Sequence, residues 1–376
     1  MLYLDHAATS PVRPEVLEAM HPYLTVVFGN PSSHHTVGEA AASALDDARH
    51  RVGAALGMRA GDVIFTSGGT EANNLAVKGI VLGSARRHLV VSPIEHESIL
   101  ESAEYLRRFH GVEVTPVAVD ATGRITADAV AAALRADTAL VALGHANNEI
   151  GTVQEIAAIS AVTTAAAVPL HVDAVQSAGW LPLDGLGADA VAIAGHKLGA
   201  PKGIGALAVR GRVPLEPLVH GGGQERGRRS GTENVAGAVA LATSLELAAA
   251  ERAEVTARVG AFTKDFIAEV LGTVPQSALT GDPVHRLPGT ASFTFAGISG
   301  EAVLLELERR GVVSSSGSAC AAGSDEPSHV LVACGIPPEI AQSSVRFTFG
   351  REAFPASTAE RLAALVADSV RAVAGP

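Results

Sequence analysis

Residues 169–207 read PLHVDAVQSAGWLPLDGLGADAVAIAGHKLGAPKGIGAL. Two strand-like apolar runs lie in this stretch, PLHVD and ADAVAIA. The first ends in Asp173, and the second runs through Gly195 into His196 and Lys197 and then a loop rich in Gly and Pro. Buried parallel strands read as continuous apolar runs, and open α/β sheets place ligands beyond the carboxyl ends of such strands. An acid and a lysine are thus delivered to one edge of one sheet. A lysine there can bond an aldehyde cofactor and an aspartate can pair with a ring nitrogen, which is the protein's half of pyridoxal phosphate (PLP) chemistry. A solvated lysine after an ordinary strand fits the same residues, and this stretch alone does not choose between the two.

Working outward, strand and helix signals alternate. VIFT (63–66) leads to a helix starting near Thr70, HLVVS (88–92) to one after His96, EVTPVAV to one near 127–134, and TALVALG to one from Gln154. An alanine-rich helix is expected over about 39–56, and GALAV closes the strand series. The alternation predicts an α/β fold with a mostly parallel sheet and helices on both faces. After Glu233 one long helix or two consecutive ones are expected, and then a smaller α+β unit with strands at TASFTF and SSVRFTF. At 376 residues and 47% hydrophobic content the chain has material for two domains. The expected division is 16–255 for the large unit, with 1–15 and 256–376 forming the small one.

Charge and cysteine content narrow the function classes. A formal net charge of −11 argues against nucleic acid or an anionic membrane as a partner. Two cysteines, Cys320 and Cys334, form no disulfide framework. The opening MLYLDHAATSPVRPEV lacks the pattern of a signal peptide, and no run reaches the ~18 apolar residues of a membrane span. A cytoplasmic protein is expected. His34 and His35 in GNPSSHHTVG have no Cys or acidic partner at ligand spacing, so no metal site is expected.

Four further stretches carry chemistry. In FTSGGTEANN a strand meets a helix at Ser67, Gly68, Gly69 and Thr70, and helix-start N–H groups favour a phosphate. Thr70 acting as a plain cap fits equally. In SPIEHESIL, His96 lies past a strand end, as a capping residue or as an imidazole stacked on a planar cofactor. In LGHANNEIG, Asn147 and Asn148 shape a turn or bond a cofactor hydroxyl. In SSSGSACAAGSDEPSH, Cys320 sits among small residues that cannot bury it, which marks a candidate nucleophile. Cys334, in VLVACGIP, reads as a core cysteine.

Taken together, YLDHAATSPVRPEV, GNPSSHHTVG, FTSGGTEANN, EHESIL, NNEIGTVQEI, HVDAVQSAG, GHKLGAPKGIGAL, GGGQERGRRSGTEN, SSGSAC and SSVRFTFGR resemble the PLP-dependent cysteine desulfurase family nearly end to end. The cysteine loop resembles the longer-loop type, housekeeping or nitrogenase-associated. The resemblance implies PLP-dependent fold type I and the conversion of L-cysteine to L-alanine with a persulfide on Cys320. Lys197 would carry PLP on its amine, Asp173 would keep the pyridine nitrogen protonated, and His96 would stack on the ring. Gln176 and Asn148 would bond the ring hydroxyl, while Gly69, Thr70 and His196 would bind the phosphate. Thr232 would reach the phosphate of the other subunit of a homodimer, and Arg346, with Asn148, would take the substrate carboxylate. A sulfur-acceptor protein, such as an iron–sulfur scaffold, would receive the sulfur. One position departs from the family: Ala194 stands where a phosphate-binding serine is common. Selenocysteine lyase or an aminotransferase of the same fold is the nearest rival reading, and a non-catalytic scaffold binding iron–sulfur assembly proteins the remote one.

Overall fold

The computed structural model describes residues 1–316, 326–355 and 357–375. Cys320, the expected nucleophile, lies outside the described residues.

The apolar runs form a seven-stranded sheet in the order Val63–Thr66, Gly205–Val209, Ala190–Ala194, Leu170–Asp173, Thr138–Gly144, His88–Val91, Glu113–Pro116. Gly205–Val209 runs antiparallel to both neighbours, and the remaining pairs are parallel. Successive strand residues face opposite sides. Val63, Phe65, Val141, Leu143, Val191 and Ile193 therefore pack into one apolar cluster, and Ile64, Leu140, Ala142, Ala190 and Ala192 into another. Both faces are covered, which is why these strands read as unbroken apolar runs.

The helices fall close to their sequence signals. The alanine-rich helix spans Thr36–Ala55, and the one expected from Gln154 begins at Ile156. After Glu233 there is one helix, Val235–Thr273, about 58 Å long at the usual rise. Its first half packs Val239, Leu241 and Leu245 into the large-sheet core. Its second half packs Val259, Phe262 and Phe266 into a separate core with Phe293, Phe347 and Phe349. This second core backs a three-stranded antiparallel sheet, Val345–Thr348, Thr290–Phe295 and Ser277–Leu279. The chain start joins it: Leu2–Tyr3 pairs with Val312–Val313, and Asp5 bridges Thr348.

The register aligns the strand ends that matter. Asp173 lies opposite Gly144 and Ala192, and Gly205 lies opposite both Ala194 and Thr66. Thr66, Gly144, Asp173 and Ala194 thus finish at one edge of the sheet, facing the smaller unit.

Candidate active site

At that edge is a cavity of about 350 Å³, lined among others by Gly69, Thr70, His96, Asn148, Asp173, Gln176, Ala194, His196, Lys197 and Arg346. Ten residues singled out from the sequence, Ala194 included, converge on one space from six separate stretches of chain. Thr232 does not join them: it is exposed on the loop preceding Val235–Thr273.

The floor is a buried polar network around Asn73, a residue the sequence reading passed over. Asn73 Nδ2 donates to Asp173 Oδ2 at 2.7 Å and to Ser98 Oγ at 2.9 Å. His171 Nε2 donates to Asn73 Oδ1 at 3.0 Å. Ser98 in turn holds His96, whose Nδ1 accepts from Ser98 N at 3.0 Å and lies 2.8 Å from Ser98 Oγ. One asparagine therefore couples Asp173 to His96. Asp173 Oδ1 accepts from Val175 N at 2.9 Å. Burial pushes the His171 imidazole down to about 4, so the ring is neutral near pH 7 and donates from Nε2. The capping reading of His96 holds, since it caps Glu97–His110 through Nδ1, and the same residue lines the cavity.

Two sequence cues pointed to this network. His171 and Asp173 are two apart on a strand and share a face, and Asn73 lies four residues after Gly69 on one helix face. Glu95, next to His96, was also passed over. It is buried in the cavity wall, and burial followed by the nearby Asp173 charge raises its carboxyl to about 8.

The helix start differs from the capping alternative. Helix Gly69–Asn74 has Gly68 as its N-cap with no side-chain cap bond, so Thr70 is an interior first-turn residue and not the cap. The approach is close: a Cβ on Gly69 would lie 2.7 Å from Val175 Cγ2, and one on Gly205 would lie 2.7 Å from Gly68 Cα. Across the cavity, burial and then the charges of Lys197 and Lys202 lower His196 to about 4, and its Nδ1 lies 3.2 Å from Thr9 Oγ1. Asn147 Oδ1 accepts from Glu149 N and Ile150 N, so it shapes the turn, and both Asn147 and Asn148 line the cavity.

Arg346 is 1% exposed and bridges the two units. Its Nη1 donates to Asn148 O and its Nη2 to Asp5 Oδ1, each at 2.8 Å. Its buried Nε has no partner among the described residues. Gln176 Nε2 donates to Ala7 O at 3.0 Å, and the Lys197 amine donates to Ala7 O and, at 2.9 Å, to Ala8 O. Cys334 is the core residue its sequence context indicated: buried beside Ile94, Ile150 and Leu331, its thiol is pushed up to about 11 by burial.

Comparison with known proteins identifies the class and then the branch. Residues 2–359 match the family described as Aminotransferase class-V. The chain is 43% identical over 353 residues to "Cysteine desulfurase IscS" of Dictyoglomus turgidum, covering 93% of this chain and 89% of that protein. A solved structure described as a NifS-like protein superposes with a TM-score of 0.90 at 31% identity, covering 98% of both chains. Another, described as SspA in complex with cysteine, gives 0.80 at 34% identity over 94% of this chain and 100% of that one. The chain belongs to the class-V aminotransferase family, in its cysteine desulfurase branch.

Enzymes of this family are PLP-dependent, and the residues present fit that group. A primary amine for the aldehyde (Lys197), a carboxylate held by two donors for the ring nitrogen (Asp173), and a glycine-lined helix start with Thr70 and a neutral His196 for the phosphate all face one cavity. Its volume is at the small end of ligand pockets, suited to one compact ring.

Proposed function

We propose that this chain is a PLP-dependent cysteine desulfurase that converts L-cysteine to L-alanine and holds the released sulfur as a persulfide on Cys320. The observation that carries the reading is the convergence of Lys197, Asp173 and His96 on one cavity in a chain of the cysteine desulfurase branch. When bound, PLP supplies an aldehyde that bonds primary amines and a ring that takes up the electron pair left at the substrate Cα. Lys197 would carry the cofactor at rest and would move the Cα proton during turnover. Asp173, fixed in place by Asn73 and Val175 N, would hold the ring-nitrogen proton. His96 would stack on the ring, while Gln176 and Asn148 would take its hydroxyl. Gly69, Thr70 and His196 would take the phosphate. Arg346 binds the substrate carboxylate, with Asn148 beside it. The Cys320 thiolate would attack the substrate sulfur; the S–S bond forms as the substrate's Cβ–S bond breaks with its electron pair left on carbon, Cβ takes a proton, the Cα proton is returned, and alanine is released.

A homodimer completes the site in this reading. The loop before Val235–Thr273 is braced by the buried pair of Arg49 with Glu225, at 2.6 and 3.0 Å, although Glu225 and Arg226 hold left-handed backbone at φ 49° and 59°. Thr232 follows on its exposed arm, available to a partner's phosphate site. Leu17, Leu24, Val26 and Phe28 are exposed apolar side chains on the adjoining N-terminal stretch, 56–74% accessible, as a surface awaiting a second copy would be. The two apolar cores support a division into a large unit, 16–255, and a small unit of 1–15 with 256–376. The sulfur passes to an acceptor protein, such as an iron–sulfur scaffold or a thiolation partner. A cytoplasmic location belongs to the same reading, because a working thiol needs reducing surroundings.

The test separates the two cysteines. Cys320→Ala should keep bound PLP and its spectral response to cysteine but lose sulfur transfer, while Cys334→Ala should keep full activity. Alanine and persulfide are the products to measure. Undiminished desulfurase activity in the Cys320 variant would end the mechanism.

A further inference from the structure

The chain start between Asp5 and Arg13 crosses the site without a core of its own: apart from Ala7, its residues are only partly buried or exposed. It forms a wall between the cofactor cavity and a second cavity of about 390 Å³, and Ala7, Gln176 and Lys197 line both. Polar contacts must therefore hold it. On one side Asp5 accepts from Arg346 Nη2, and Ala7 N donates to Thr348 Oγ1 at 2.8 Å. On the other it is fastened to the loop that carries Lys197. Ser10 N and Ser10 Oγ both donate to His196 O, at 2.9 and 2.7 Å. Ser10 Oγ accepts from Gly199 N at 3.1 Å, and Arg13 N donates to Gly199 O at 2.9 Å. Ser10 is thus bonded on both sides of Lys197, at 196 and at 199. Between these fastenings, the Lys197 amine meets the carbonyls of Ala7 and Ala8.

We propose that the segment from Asp5 to Arg13, fastened by Ser10, is a positioning strap that orients the Lys197 amine at the Ala7 and Ala8 carbonyls whenever that amine is not bonded to the cofactor. This rests on the desulfurase reading and adds a part to it. Two N–H groups donated to two fixed carbonyls set the direction of the amine in both its neutral and its charged state. Proton transfer at a substrate carbon depends on that direction, since a reacting group held in the productive geometry is worth far more than one that rotates freely. Backbone carbonyls suit the task because they do not titrate, so the amine can take and return a proton while its cradle stays unchanged. Ser10 does not touch the reacting atoms; it acts through the carbonyls it fixes.

The experiment uses Ser10→Ala and Ser10→Thr. In the holoenzyme, exchange of the Cα proton of L-alanine with solvent deuterium is followed by NMR across pH. This reads the lysine step without any sulfur chemistry. Ser10→Ala should slow exchange about fivefold, the loss of roughly 1 kcal/mol for a neutral hydrogen bond, and should shift the pH profile. PLP affinity by equilibrium dialysis should stay within about twofold, and Ser10→Thr, which keeps the hydroxyl, should restore the rate. In the cofactor-free chain, amine-reactive labelling mapped to Lys197 should rise several-fold in Ser10→Ala and return to the unmutated level in Ser10→Thr. Unchanged exchange and labelling in Ser10→Ala, or a loss that Ser10→Thr does not restore, would overturn the strap. Absence of exchange in the unmutated holoenzyme would instead overturn the assignment of function, and the labelling would still judge the strap.

Discussion

Asp173 ends one strand and Lys197 follows the end of the neighbouring one, yet they are held by opposite means. The Asp173 carboxylate is enclosed by side chains of its own sheet unit: Asn73 binds it, and His171 and Ser98 bind Asn73. The Lys197 amine is held by main-chain carbonyls from the far end of the sequence, on a wall between two cavities. A group that must keep one bond throughout a reaction gains from a closed network whose members cannot rotate. A group that exchanges partners needs acceptors that it can leave and find again. In the proposed reaction the floor stays fixed and the strap releases.

The sharpest break in that comparison comes from Lys197→Ala, which should reduce turnover by about a thousandfold or more while PLP stays bound non-covalently. Borohydride reduction of the unmutated protein and peptide mapping should place the label on Lys197. A label on Lys78, Lys202 or Lys264 would overturn the assignment. Lys78 offers a contrast, since it is tied to Asn74 Oδ1 and lies over the Tyr105 ring.

Acid should loosen the buried histidines first. His145 and His171 are both lowered to about 4 by burial, so the unfolded chain binds protons that the folded one refuses. Their contribution to stability is complete above pH ~6.5 and is lost as pH falls through the window to about 4, roughly 3 kcal/mol for each histidine over the whole range. Glu95, raised to about 8, acts in the other sense: its contribution is complete below pH ~4.5 and is lost as pH rises through 8. Urea unfolding of the cofactor-free chain between pH 4.5 and 8 should show the acid-side loss, with a shallower slope in His145→Gln. A flat acid side would mean these rings are solvated.

Asn73→Ala should leave Asp173 without its side-chain partner and His171 Nε2 without an acceptor. A loss of about 1–3 kcal/mol in stability and about tenfold in turnover is expected, read by denaturation and steady-state kinetics. Unchanged kinetics would mean that Val175 N alone suffices to hold the carboxylate.

The smallest effect concerns the departure at Ala194. Its methyl lies 3.4 Å from where a Cβ on Gly69 would sit, beside the helix start proposed to take the phosphate. Ala194→Ser should tighten PLP binding by up to about tenfold, ~1.4 kcal/mol, with turnover unchanged. Equilibrium dialysis of both proteins decides it. Unchanged or weaker binding would show that another donor already fills the place.

By itself the sequence determined the sheet, its mostly parallel sense, and the delivery of Asp173, His96 and Lys197 to strand ends. Those features follow from local apolar runs and from where they stop. Pattern also exposed Cys334 as a core residue, because bulky neighbours in sequence became its neighbours in space. Tertiary structure decided the rest. Thr70 turned out to be interior to its helix because Gly68 already stands at the cap position. Arg346 met Asp5 across 341 positions of chain, and Ser10 met the lysine loop across 186 to 189. Nothing in ATSP announces a partner, since a small polar residue in a proline-marked stretch reads as a turn wherever it occurs. Such pairings depend on two separately folded edges closing on one another. Neither segment carries a local signal of the other, and only the closed fold brings the carbonyls of Ala7 and Ala8 to the amine of Lys197.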